Sequence, residues 1–378
     1  MWKTPSTLIG IVLILLALGI VMLASASSVK GETAHYDAQY FLKRQLIWLA
    51  IALVAGMTGA AVDYHRWQQY CIPLFALSVA LLALVLMPGV RVLIGGSYRW
   101  LRLGGLFSFQ PSELAKFSTV VALATWMTRV GRKAASFKDG IAKPGFALLI
   151  VLGLIMKEPD FGTTVLIATV GMAILFAGGS RWHYLALVAV IGICGLAVAI
   201  LHDPVRMGRI LAFVMPDKYP VIYHQLRQSK YAFVLGGVGG VGLGESIQKH
   251  FYLPEAHTDF ILAIVGEELG VITTCLVVAL FAGFLACGTF ISLNAPDVFG
   301  RLLGFGLTLM TTVQAAINVG VVTGCLPTKG LPLPFISYGG SSLMMSMFCV
   351  GVLINVARQA VIEKDGQALA VKDRARWL

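Results

Sequence analysis

Long apolar runs separated by short polar ones make up most of this chain. The apolar runs lie at 8–26, 45–62, 70–90, 111–128, 144–156, 161–179, 183–201, 260–287, 302–326 and 335–357. Most reach the roughly 20 residues a helix needs to cross a bilayer. They lack the apolar–polar alternation of barrel strands. The pattern predicts an all-α polytopic membrane protein of about ten transmembrane helices, with 1–378 as a single integral membrane domain. The run 144–156 is the weak one. Lys143 and Lys157 bracket only thirteen residues. It either spans with its lysines reaching the interfaces or forms a shorter, broken helix.

Composition agrees: 58% of residues are hydrophobic and 12% charged, against roughly 25% charged in soluble domains. The largest polar piece is a loop over 202–258, cut by Pro204, Pro216 and Pro220. Within it, 205–213 and 221–235 predict short interfacial helices. The loop 129–143 and the tail 359–378 are rich in Lys and Arg. With an even span count this places both, and the N-terminus, on the cytoplasmic side. The 202–258 loop is then extracytoplasmic. The apolar core of the first run is too long for a cleavable signal, and nine more runs follow.

The formal net charge is +11, and many cations fall on the outer side, among them Arg91, Arg99, Arg102, Arg206, Arg209 and Lys329. That suggests an anionic partner there, either a phosphate-bearing lipid head group or ordinary anionic lipid. With no soluble basic domain, a nucleic-acid partner is not expected. The cysteines form no CxxC pair and read as small buried residues.

Several polar clusters could carry chemistry. Asp259 stands where the outer loop meets the apolar run 260–287, with Glu255 and His257 close by. Its ordinary reading is helix capping; its functional one is a general base, since a partly buried carboxylate gains basicity. Glu267 and Glu268 lie deeper in the same run and need intramembrane partners, which basic residues of other spans could supply. Glu113 and Lys116 share a helical face, either as a structural ion pair or with Lys116 on an anionic substrate. Asp160 reads as a cap or a site residue. Lys329 and Ser341 belong to a Pro- and Gly-rich segment suited to close packing or anion contact. Gly237, Gly239 and Gly242 match G-x-G-x-x-G, but no βαβ unit surrounds them, so close backbone approach is the better reading.

Taken together, Met22-Leu-Ala-Ser-Ala-Ser-Ser28, Tyr40-Phe-Leu-Lys-Arg44-Gln45, Arg99-Trp100-Leu101, Gln110-Pro-Ser-Glu113-Leu-Ala-Lys116, Pro159-Asp-Phe-Gly-Thr163, Tyr252-Leu-Pro-Glu-Ala-His-Thr-Asp-Phe260, Gly266-Glu-Glu-Leu-Gly270 and Pro334-Phe-Ile-Ser-Tyr-Gly-Gly-Ser-Ser342 resemble the SEDS family (shape, elongation, division, sporulation). They cover almost the whole chain in the family's order. Ser25-Ala26-Ser27, Tyr252-Leu-Pro-Glu-Ala256 and Pro327-Thr-Lys-Gly330 resemble its division member more than its elongation member. Two features depart from that member: the short N-terminal extension, and Lys157-Glu158 where a glutamine often precedes Pro-Asp-Phe-Gly.

The resemblance implies the SEDS fold and a peptidoglycan glycosyltransferase that polymerises lipid II at the outer face of the bacterial plasma membrane, at the division septum. It implies a class B penicillin-binding protein as transpeptidase partner, among other divisome proteins. The family's essential aspartate falls on Asp259, and its cavity Arg, Glu and Lys on Arg44, Glu113 and Lys116. Arg99 and Lys329 would join these around the leaving pyrophosphate, and Asp160, Glu255, His257 and Ser341 complete the expected substrate-binding set. No metal site is legible, though a magnesium or manganese ion could help neutralise the pyrophosphate. Two rival functions stay open: a lipid II flippase, for which Glu267 and Glu268 speak, and a non-catalytic activator of the transpeptidase.

Overall fold

Each of the ten apolar runs lies on a helix in the computed structural model, which describes residues 3–87, 91–94, 97–103 and 107–375. Of the basic residues read above, Arg376 and the side chains of Arg91, Lys364, Lys372 and Arg374 lie outside these. In chain order the elements are α1 (Lys3–Ala26), α2 (Ser28–His35), α3 (Tyr40–Ala61), α4 (Tyr64–Gln69), α5 (Cys71–Val85), β1 (Arg91–Ile94), β2 (Ser97–Leu103) and β3 (Phe107–Phe109). There follow α6 (Pro111–Val130), α7 (Lys143–Lys157), α8 (Phe161–Ala177), α9 (Trp182–Leu201), α10 (Pro204–Val214), α11 (Pro220–Gly236), α12 (Ile261–Leu293), α13 (Val298–Val322) and α14 (Gly340–Ala375).

Among the described residues, seven helices are long and apolar enough to cross a membrane. α5 and α8 are shorter apolar helices, and α6 carries Glu113 and Lys116 near its start. The doubtful run 144–156 gains length from a π-helical turn at Lys138–Ala142 that leads directly into α7. The joined helix Lys138–Lys157 has 20 residues, so Lys143 lies inside it and only Lys157 marks an end.

The run 70–90 closes early, at Val85, and the chain then forms an antiparallel sheet of order β1-β2-β3. Nothing in the hydrophobic pattern predicted this sheet. In the 202–258 loop both expected helices form, as α10 and α11, each opening on a proline whose missing N–H costs nothing there. Asp203 caps α10 through Val205 N and Arg206 N at 3.0 and 3.3 Å.

α6, α8 and α13 form the centre, where Val121, Ile167, Val170 and Leu303 are fully buried. α3 packs along α14, and the two backbones approach so closely that a Cβ on Gly351 would stand 2.0 Å from Gly56 O. The six cysteines are unpaired, as expected, but only Cys71 is buried. Cys194 and Cys275 are exposed on α9 and α12, because apolar outward faces of a membrane helix accept a small thiol as readily as its core does, and Cys325 is exposed in the turn after α13.

Candidate active site

The segment before α12 is held in an unusual shape. Phe251 and Glu255 have left-handed φ of 66° and 54°, and Phe335 opposite has 66°. Such backbone costs about 1–3 kcal/mol per residue and gathers at functional sites. Three successive carbonyls of the segment are clamped. Tyr338 N donates to His257 O at 3.1 Å, Ser337 Oγ to Thr258 O at 2.6 Å, and Asn318 Nδ2 to Asp259 O at 2.7 Å. α12 starts with Phe260 as cap and no side-chain cap bond. Capping therefore does not occupy the Asp259 carboxylate.

That carboxylate is half-buried and lies against Gly330, where a Cβ would stand 2.7 Å from Oδ2. Burial, then the charges of Glu255 and Asp160, push its pKa up to about 7, against the pull of Arg99 and Arg209. Asp160 does cap α8, accepting from Thr163 N at 3.1 Å. Its other oxygen faces Arg99 Nη1 at 3.4 Å and Gln110 Nε2 at 3.4 Å. Arg99 also donates to Glu158 O at 3.1 Å and Pro159 O at 2.9 Å, tying β2 to the α7–α8 turn. Lys329 and Arg206 both stand over the Phe161 ring, at 5.8 and 4.1 Å. Burial lowers the Lys329 pKa, against the pull of Asp160.

Glu158, where the family pattern often has glutamine, is buried with both carboxylate oxygens unpartnered. Burial, then Asp160, raise its pKa to about 8. A protonated glutamate has the shape and zero charge of a glutamine, which is why the site tolerates it.

On the other side of the segment, Lys30 Nζ lies 3.6 Å from Glu255 Oε1, and Thr258 Oγ1 donates to Glu255 Oε2 at 2.8 Å. Burial would raise the Glu255 pKa, but Lys30, Thr258 and His257 outweigh it and hold the group below its ordinary value. Burial, then Lys30, push His257 down to about 4. Its neutral ring packs on Phe41 at 4.9 Å. Arg44 Nη1 donates to Tyr40 Oη at 2.7 Å in the same aromatic group. Two cavities flank the segment. One of about 560 Å³ includes Arg209, His224 and Thr328 in its wall; one of about 310 Å³ includes Lys30, Glu255 and His257. Pro254 lines both.

Not every expected site residue joins this group. Lys116 and Glu113 pair at 2.8 Å, nearly fully buried, and Lys116 Nζ also donates to Gln314 Oε1 at 2.8 Å. The pair lies within α6, and Gln314, its partner on α13, stands one turn from Asn318. Ser341 is fully buried in the first turn of α14, with its hydroxyl unpartnered.

Glu267 and Glu268 find their partners in the loop 242–250 and in α1, not in basic residues of other spans. Lys249 Nζ meets Glu268 Oε1 at 3.2 Å and Ser25 Oγ donates to the same oxygen at 2.6 Å. Ser246 Oγ and Ile247 N donate to Glu267, the latter at 2.9 Å. The glycine run does provide close backbone approach: Val241 N donates to Glu267 O at 2.9 Å, and Val271 N to Gly237 O at 3.0 Å. Gly270, at φ 78°, breaks α12 there; a Cβ on it would stand 2.3 Å from Val238 O.

Arg209, expected only as one of the outer cations, lies near Asp259. Two residues, Asn318 and Gln314, escaped the sequence reading; their only signal was a pair of amides four residues apart inside an apolar run.

A family model described as cell cycle protein, FTSW_RODA_SPOVE, matches residues 6–362. The chain belongs to this family. It is 41% identical over 351 residues to the probable peptidoglycan glycosyltransferase FtsW of Trichlorobacter lovleyi, covering 93% of this chain and 92% of that one. The rod shape determining protein RodA of Thermus thermophilus superposes with a TM-score of 0.70 at 27% identity, covering 93% of this chain and 96% of that one. A chain from a structure on coordination of polymerization and crosslinking by a peptidoglycan synthase complex superposes with a TM-score of 0.77 at 27% identity, covering 95% and 98%. The family and its all-α membrane fold, expected from the motifs, are thereby shown for this chain.

Proposed function

We propose that this FtsW/RodA/SpoVE-family chain is a peptidoglycan glycosyltransferase that polymerises lipid II for the division septum, with Asp259 as general base. The observation that carries the base assignment is a half-buried carboxylate, free of helix capping and with a pKa near 7, on a segment that two cavities flank and within the field of Arg99 and Arg209. A base works best when its pKa lies near the working pH.

Asp259 takes the proton from the GlcNAc 4-hydroxyl of one lipid II. That oxygen bonds to the anomeric carbon of the MurNAc of a second. The bond from this carbon to the pyrophosphate oxygen breaks, and undecaprenyl pyrophosphate leaves with the electron pair. Arg99, Arg209 and Lys329 would meet its charge. Among the described residues no three His, Cys, Asp or Glu side chains gather as a metal cage. A magnesium or manganese ion would help neutralise the pyrophosphate charge.

The chain is a multi-pass protein of the bacterial plasma membrane, with cytoplasmic termini and this site facing outward. Its partner is a class B penicillin-binding protein within the divisome. The flippase reading loses its main support, because Glu267 and Glu268 are engaged in anchoring a loop.

Purified protein with its transpeptidase and lipid II in detergent, where flipping has no meaning, decides the matter. Glycan chains should form with wild type and not with Asp259→Asn. Equal polymer from both would reject Asp259 as the base.

A further inference from the structure

Two buried amides stand one turn apart on α13 and both reach across to backbone carbonyls. Gln314 Nε2 donates to Pro332 O at 2.8 Å. Asn318 Nδ2 donates twice, to Leu331 O and to Asp259 O, each at 2.7 Å. Asn318 is 2% exposed. Its two N–H bonds are the junction between the segment that carries Asp259 and the segment that carries Gly330. Gly330 in turn is the residue against which the Asp259 carboxylate rests.

We infer that Asn318 is the positioning residue for Asp259, fixing the distance between the Asp259 backbone and the 330–332 strand of chain that borders its carboxylate. The inference rests on Asp259 being the base. Two features support it. The donor bonds the carbonyl of the base itself, so a shift of the amide moves the base directly. The bonds to His257 O and Thr258 O come from Tyr338 and Ser337, so the rest of the segment keeps its shape when Asn318 changes. Gln314 holds the other end, with its Oε1 braced by Lys116. The ion pair Glu113–Lys116, which reaches the site only through Gln314, thus acts as the foot of the same ladder.

A misplacement of about 1 Å at a reacting group costs on the order of 100-fold in rate. Asn318→Gln keeps the amide but lengthens it by one methylene. Asn318→Leu keeps the volume but removes both donors. Both variants, with wild type and Asp259→Asn, are assayed as the full chain with its transpeptidase, using lipid II in detergent as probe. Each Asn318 variant should lose about 10- to 100-fold in kcat with KM within about twofold. The acid limb of the rate profile should also move to lower pH, because a loosened carboxylate meets water. Glu255, Asp160, Arg99 and Arg209, the charges that act on Asp259, are untouched in these variants.

Wild-type kcat and an unmoved acid limb in both folded variants, with Asp259→Asn inactive, would overturn the inference while leaving the base assignment standing. An active Asp259→Asn would instead reject the base assignment, and the inference with it. If Asn318→Leu does not fold, Asn318→Gln decides. If neither folds, Asn318 belongs to the fold and not to the base, and the inference is overturned.

Discussion

A base kept from ionising by its surroundings should destabilise the fold whenever it does ionise. The perturbation that exposes this is Asp259→Asn. Burial and the nearby carboxylates raise the Asp259 pKa from 3.8 to about 7, which at about 1.4 kcal/mol per tenfold in proton affinity is about 4 kcal/mol. The group is half-buried, so solvent screening trims this to about 2–4 kcal/mol. The sign follows from proton counting. Between pH 4 and 7 the folded protein still holds a proton that the unfolded chain has released. Stability therefore falls as pH rises through that window and levels off above it. Asparagine has no such proton. Asp259→Asn should match wild type near pH 4.5 and exceed it at pH 8, by several degrees in Tm. Scanning at one fixed rate in detergent keeps irreversible unfolding comparable between the two. Wild-type polymerisation should rise through about pH 7 over the same range. A stability difference that is equal at both pH values, or reversed, would refute this account of the carboxylate's environment.

Gly330→Ala places a methyl 2.7 Å from Asp259 Oδ2, and the carboxylate, as the mobile partner, must yield. Polymerisation should fall about 10- to 100-fold with Tm nearly unchanged; retained activity would show that the carboxylate does not work from this position. Lys249→Met leaves Glu268 buried without its cation and should destabilise by about 3–5 kcal/mol, with the double variant Lys249→Met/Glu268→Leu recovering much of the loss. A double-mutant cycle on Tm checks this, and additive losses would mean that the pair is not coupled.

The contrast between Asp259 and Lys116 shows where sequence reading stops. Both are ionisable residues beside apolar runs, and both looked like site residues. The segment that carries Asp259 lies between two cavities, and several charges act on the carboxylate, while Lys116 is engaged by Glu113 and Gln314. Side-chain partners drawn from helices about 200 residues apart, as Lys116 and Gln314 are, leave no local trace in the chain. Ser341 is open to two readings for the same reason: Gly-Gly-Ser-Ser is equally suited to an anion and to a tight helix contact, and only the neighbouring helices bury it.

Span positions, helix type and the proline-led helices of the 202–258 loop were all legible in the chain. They depend on local periodicity and on the cost of exposing backbone to lipid, which every window of sequence carries. The motifs added the family, and with it the expectation that Asp259 is the essential aspartate. Tertiary structure alone decided that Asp259 is not a cap, that Glu267 and Glu268 anchor a loop, and that Asn318 bonds the Asp259 carbonyl. Each of those depends on which distant groups share a low-dielectric space. That depends on packing, where a shift of a few ångströms turns a partner into a bystander.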